Sequence, residues 1–235
     1  MKTAAVTHVA LLKEQNQDRF LIKEFSGDSV LIAVADGAGG TPAGEEASGV
    51  VIERINDFQP DSQTPEANLV RLMQEADQQI FGAVEKEQDL KGMGSTLTAA
   101  FVRGEAVFWA HVGDSRLYLF REDELTQITE DDTMAGFLLT EGEITREEAR
   151  VHPGRNFIFD FIGSGGFEEE TGSFSLREND LLLLTTDGLH DRVPEETLVS
   201  ILRSNSELDK KLDALVSTAL EARGKDDLTV VGVEV

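Results

Sequence analysis

The 235-residue sequence predicts an α+β fold, a central β-sandwich of two mainly antiparallel sheets flanked by helix pairs (α-β-β-α). Three features predict it. Strand-like apolar blocks open and close the chain, a pair of amphipathic stretches interrupts the strands in each half, and the strands are cut by Asp-Gly or Gly-Asp pairs. That order suits two packed sheets with helices outside.

Residues 3–12 and 18–25 mix apolar and polar residues as strands do. Val30 to Ala35 (VLIAVA) is an unbroken apolar run ending in Asp-Gly, which suits a strand buried on both faces. Helices follow at 43–57, after Pro42, and at 66–89, where Leu69, Leu72, Met73, Ala76, Ile80, Ala83 and Val84 share a face. The polar stretch from Asp57 to Pro65 connects them. Strands at 95–102 and 106–112 flank a turn at Arg103-Gly104-Glu105, and Leu117–Phe120 and Leu125–Ile128 flank a second. Residues 129–168 carry several glycines and few long apolar runs, predicting short helices and a mobile loop. Strands return at 171–176 and 181–186. Helices are predicted at 194–203, with Pro194 in the first turn, and at 207–222, stopped by Gly224. Leu228 to Val235 is the last strand. Without internal repeats or a linker, residues 1–235 read as one domain.

Lys and Arg number 21 against 45 Asp and Glu, a formal charge of −24. Such a charge repels nucleic-acid backbones and anionic lipid, so neither is expected as a partner. It also repels phosphorylated ligands unless bound cations invert the local field. The chain has no cysteine, which excludes disulfides, thiolate chemistry and Cys-based zinc sites. No segment approaches the roughly 20 apolar residues of a membrane helix, and the N-terminus lacks a signal-peptide pattern. The expected location is cytoplasmic.

Acidic residues recur where strands meet glycine. Asp36-Gly37 follows VLIAVA, Gly113-Asp114 follows VFWAHV, Asp187-Gly188 follows LLLLTT, and Asp226-Asp227 precedes the final strand. A strand end fixes the backbone, and glycine lets main-chain atoms approach a ligand. If these carboxylates converge, each pair about 4 Å apart repels by roughly 4 kcal/mol at an effective dielectric near 20. Oxygen-preferring divalent cations, Mg²⁺ or Mn²⁺, would neutralise them. Two such ions roughly 3.5–4 Å apart can acidify a shared water and hold phosphoryl oxygens. Taken singly, an Asp-Gly pair is an ordinary turn.

The order of motifs resembles the metal-dependent serine/threonine protein phosphatases of type 2C, the PPM family, in its bacterial form. The matching pieces are Asn16-Gln17-Asp18, Asp36-Gly37-Ala38-Gly39-Gly40, Gly94-Ser95-Thr96 and Gly113-Asp114-Ser115-Arg116-Leu117-Tyr118. Gly142-Glu143-Ile144-Thr145, His152-Pro153, Asp187-Gly188-Leu189 and Asp226-Asp227-Leu228-Thr229 follow. The resemblance implies hydrolysis of phosphoserine and phosphothreonine in proteins by a metal-bridging hydroxide, in opposition to a serine/threonine kinase. It implies two Mn²⁺ or Mg²⁺ ions, and in bacterial relatives a third. Asp36 would bridge both main ions, the Gly37 carbonyl would bind the second, Asp187 and Asp226 would hold the first, and Asp114 would help hold the third. Asp18 would orient bound waters from the outer shell, and residues 129–168 would form the variable flap beside the site.

Three positions depart from the family pattern. Its phosphate-binding arginine is Lys13 here, which keeps the charge and loses the bidentate fork. The flap's Asp-His pair reads Asp131-Asp132, and the closing Asp-Asn reads Asp226-Asp227, an extra carboxylate that would either sharpen metal affinity or add surface charge. These departures leave a non-catalytic phosphoprotein-binding pseudophosphatase as the alternative; a Ca²⁺-binding sandwich lacks an EF-hand-type loop, and a partner-switching phosphatase would differ only in substrate. His111 and Trp109 read as core, His152 as a turn residue, and Arg116 as a charge partner.

Overall fold

The computed structural model describes residues 1–11, 13–40, 42–60, 64–222 and 226–235. Its strands are β1 (Lys2–His8), β2 (Asp18–Phe25), β3 (Ser29–Ala38), β4 (Gly94–Ser95), β5 (Leu97–Arg103), β6 (Ala106–Val112), β7 (Arg116–Arg121), β8 (Glu124–Gln127), β9 (Glu170–Ser175), β10 (Leu181–Thr185) and β11 (Leu228–Glu234). The helices are α1 (Ala43–Ile55), α2 (Pro65–Val84), α3 (Met134–Thr140), α4 (Arg146–Val151), α5 (Asp187–His190), α6 (Glu195–Leu202) and α7 (Leu208–Glu221). One sheet runs β1-β11-β10-β7-β8. The other runs β2-β3-β5-β6-β9, with β4 paired to β3, and all these pairings are antiparallel.

The apolar run of β3 shows why the layers stack as they do. Side chains alternate faces along a strand, so Leu31, Ala33 and Ala35 pack under α1 and α2 with Val51, Ile55, Leu72 and Met73. Val30, Ile32 and Val34 point the other way, into the sandwich, against Leu182, Leu184, Val231 and Val233 of the opposite sheet. A third cluster joins that sheet's outer face to α6 and α7 through Leu183, Val230, Leu198, Leu212 and Leu215. Both faces of both central sheets are therefore covered, the predicted α-β-β-α order.

Local differences have local causes. The first strand ends at His8, short of the predicted residue 12, because Ala10 N–H donates to buried Asp227 (2.8 Å) and turns the chain toward β11. Pro194 sits at the N-cap of α6 with an extended ψ of 146°, one position before the predicted first turn, and its carbonyl accepts from Thr197 and Leu198 N–H. The polar turn after β7 places Glu122 and Asp123 both at positive φ (51° and 67°), as a tight hairpin requires. The 129–168 segment contains the short helices α3 and α4, each N-capped by a threonine, Thr133 and Thr145. Gly224, the predicted stop for α7, lies outside the described residues, as do residues 61–63 of the connection between α1 and α2.

Candidate metal centre

The acidic residues gather where one end of the sandwich opens. Asp36 follows the unbroken buried run of β3, and its backbone is held on both sides: its N–H donates to Thr96 Oγ1 (3.0 Å), and its carbonyl accepts from Thr96 N–H (2.9 Å) and Ser95 Oγ (3.0 Å). Next to it, Gly37 must be glycine, because a Cβ there would lie 1.9 Å from the Gly44 carbonyl at the start of α1. Asp114 follows Gly113, whose φ of +104° and whose approach to Thr96 (2.5 Å for an added Cβ) exclude a side chain. Asp187 is the first residue of α5, the single turn after β10, and Asp226 stands just before β11. Asp36, Gly37, Asp114, Asp187, Asp226 and Lys13 all line one cleft of about 400 Å³. Asp18 lies behind it, directly opposite Asp36 in the β2–β3 register. Like charges facing each other across a strand pair are destabilising on their own.

Their environment is one that a cation would satisfy. Among the described residues, four buried side-chain atoms have no hydrogen-bond partner: Gln17 Nε2 and one oxygen each of Asp18, Asp114 and Asp187. A buried carboxylate oxygen without a donor costs upward of about 1–3 kcal/mol unless something else satisfies it. Burial, and then the charges of Asp18, Asp187, Asp114 and Asp226, holds the Asp36 carboxyl well above the usual carboxylate range. Burial and then Asp114 and Asp226 do the same to Asp187. Asp114 is pushed up to about 7 by burial and the nearby Asp131, with Arg116 opposing. Asp18 also reaches about 7 through burial, offset by hydroxyl bonds from Thr229 and Thr186. The donor set is all oxygen, and it fits Mg²⁺ or Mn²⁺ better than a soft metal. Among the described residues no three His, Asp or Glu side chains already close on one point.

The protein phosphatase 2C family model matches residues 12–229. This chain belongs to the protein phosphatase 2C family. It is 40% identical to the serine/threonine protein phosphatase PstP of Mycobacterium tuberculosis over 225 residues, 93% of this chain, and spans 44% of PstP's length. It is 36% identical to the serine/threonine phosphatase stp of Listeria welshimeri over 230 residues, 95% of this chain and 91% of that protein. The solved catalytic domain of PstP in complex with two manganese ions superposes with a TM-score of 0.87 at 36% identity, covering 100% of this chain and 98% of that one. Stp1 from Staphylococcus aureus superposes at 0.92 with 28% identity, covering 100% and 94%.

Within this protein phosphatase 2C site, the three departures acquire definite places. Lys13 lines the cleft with its ammonium on Asp226 and, at 3.1 Å, on Asp227. Burial works to lower the Lys13 pKa, but these two carboxylates outweigh it and hold the group above its usual range. Asp227 is neither surface charge nor open to a metal. It is 1% exposed, and its oxygens accept from Ala10 N–H and Gln17 N–H (2.8 Å each) as well as from Lys13. Asp132 is a clamp: its carboxylate accepts from Gly113 N–H, and its own N–H donates to the Gly113 carbonyl, both at 2.7 Å.

Sequence reasoning missed Thr186 and Thr229, which donate to one Asp18 oxygen (2.8 and 2.7 Å) and leave the other free. The signal was present, a threonine beside Asp187 and another three residues after Asp226. Arg116 is a charge partner as expected, forked onto Asp131 through Nε (2.7 Å) and Nη2 (2.6 Å). His152 accepts from Gly154 N–H (3.1 Å) within its turn. His190 is buried behind Asp187, bonded to the Thr185 hydroxyl (2.8 Å).

Proposed function

We propose that this chain, folded as one domain, hydrolyses phosphoserine and phosphothreonine esters of proteins with bound Mn²⁺ or Mg²⁺. The single observation carrying this reading is the set of donor-free, buried carboxylate oxygens of Asp18, Asp114 and Asp187 around the cleft that holds Asp36 and Asp226. Asp36, the Gly37 carbonyl, Asp187 and Asp226 would hold two ions, and Asp114 with Asp187 a third. Divalent ions there supply charge neutralisation and acidify water at neutral pH. Asp18, pinned by two threonine hydroxyls, orients solvent from behind. Lys13 uses two of its three N–H donors on Asp226 and Asp227, and the third remains for a phosphoryl oxygen. The departures at Lys13, Asp132 and Asp227 remove none of the proposed ligands.

The proposed substrates are phosphoproteins made by a serine/threonine kinase, and the proposed location is the cytoplasm. No described helix is long and apolar enough to cross a membrane, which is compatible with that location. The deciding experiment is p-nitrophenyl phosphate hydrolysis with Mn²⁺, with EDTA, and with Asp36→Asn. Turnover should require Mn²⁺ and fall roughly 100-fold or more in the variant. A wild-type chain that binds Mn²⁺ and turns nothing over would instead be a phosphoprotein-binding pseudophosphatase.

A further inference from the structure

Large exposed hydrophobic side chains are unevenly distributed. Of the nine among the described residues, five lie between residues 129 and 168: Met134, Phe137, Val151, Phe157 and Phe159, from 42% to 78% exposed. Four of them share a face. Thr133 and Ile158 form an antiparallel bridge, flanked by bonds from Met134 N–H to the Phe157 carbonyl (3.3 Å) and from Phe159 N–H to the Asp132 carbonyl (3.0 Å). Side chains alternate across such a pairing. Thr133 is accordingly buried and Ile158 half-buried, while Met134, Phe157 and Phe159 face out together. Phe137 stands one turn along α3 from Met134, on the same side of the helix. The patch is continuous with the catalytic cleft, because Phe157 and Ile158 line the cavity that holds Asp36 and Asp226.

We infer that this patch is a subsite for an apolar side chain next to the phosphorylated serine or threonine of a protein substrate; the inference rests on the reading of the cleft given above. A phosphate seated among Asp36, Asp226 and Lys13 brings its neighbours across the residues lining the same cleft, where the large exposed apolar side chain is Phe157. Charge points the same way. A chain of net charge −24 offers an acidic phosphopeptide no long-range attraction, whereas short-range apolar contact, for which Phe and Met are suited, does not depend on that charge.

The test uses the full chain with Mn²⁺ and two phosphothreonine peptides that differ only in leucine or serine beside the phosphothreonine. Both hydrolysis and binding are measured, the latter by fluorescence anisotropy of labelled peptide. The wild-type chain should prefer the leucine peptide by about 10-fold, and Phe157→Ser and the double variant Phe137→Ser/Phe159→Ser should bring that ratio near one. The ratio is internal to each protein, so a smaller folded or metal-loaded fraction leaves it unchanged. Equal use of both peptides by wild type, or a ratio unaltered in the variants, overturns the subsite. So does sedimentation showing that the substitutions dissolve a dimer while the ratio stays fixed, which would assign the patch to a second copy of the chain. If neither peptide is hydrolysed but the anisotropy preference and its loss persist, the subsite stands and the hydrolase reading falls.

Discussion

His111 lies near the end of β6 at 0% exposure, with Nδ1 2.8 Å from the Thr98 hydroxyl and Nε2 3.0 Å from the Glu130 carbonyl. Burial lowers its pKa from 6.5 to about 4, against the nearby Asp131 charge and with help from Arg116. The folded protein therefore keeps the imidazole neutral at pH values where the unfolded chain protonates it. Its contribution to stability is complete above pH 6.5 and is lost as pH falls toward 4, an amount of roughly 3 kcal/mol. Urea unfolding at pH 7 and pH 4.5 should show a smaller loss for His111→Gln than for the wild-type chain; equal losses would refute the assignment. The sequence already marked His111 as core, because it interrupts an apolar strand. It could not mark Asp227 as buried, since the partners Ala10 and Gln17 lie over 200 residues away and meet it only after β1 and β11 have paired.

Among the elements, the segment that follows Phe157 is held from an unexpected side. Asp77 on α2 is 6% exposed, and one of its oxygens accepts from both Gly163 N–H (2.7 Å) and Gly165 N–H (3.2 Å). Ile162, between Phe161 and these glycines, exchanges two backbone bonds of 2.9 Å with Ser95, whose hydroxyl reaches the Asp36 carbonyl. A helix far from the acidic cluster thus braces the wall of the cleft. Asp77→Ala strands the buried Gly163 N–H and removes the acceptor of the more exposed Gly165 N–H, and should cost about 1–3 kcal/mol in denaturant unfolding. Amide exchange at Gly163 and Gly165 should accelerate with it, and Asp77→Asn, which keeps an acceptor, should recover most of both; normal exchange in the alanine variant would discard the brace. In the sequence Asp77 is one more polar residue among the apolar positions of an amphipathic helix, so nothing singled it out. The long periodic helices and the VLIAVA strand were legible because burial of one face or both dictates their composition. The single turn α5 and the two-residue β4 were not, because elements that short are fixed by the neighbours they bind and not by a periodic pattern.

For the molecule as a whole, the balance of charge makes cation binding and folding one equilibrium. Excess Mn²⁺ at about 100 times its dissociation constant should add roughly 2.7 kcal/mol, or about 5–10 °C in Tm for a chain of this size. Sodium chloride at the same ionic strength should give a smaller gain, since it only screens the repulsion. Calorimetric curves that coincide in Mn²⁺ and EDTA would argue against the proposed ligand set. That set spans both sheets: Asp36 comes from one, Asp187 and Asp226 from the ends of strands in the other, and Thr186 and Thr229 rivet Asp18, behind Asp36, across the gap. Sequence motifs could suggest the convergence, while the rivets depend on a layer-to-layer packing that no local pattern encodes. Because β11 lies between β1 and β10 and carries Thr229, biosynthesis imposes an order of events. A nascent polypeptide that has cleared the ribosome only through α5 already possesses Asp18, Asp36, Asp114 and Asp187, yet it lacks Asp226, the second rivet and the strand that unites that sheet. The proposed ion site accordingly cannot be completed before β11 has emerged, and translation products terminated ahead of that strand should fail to gain stability from Mn²⁺.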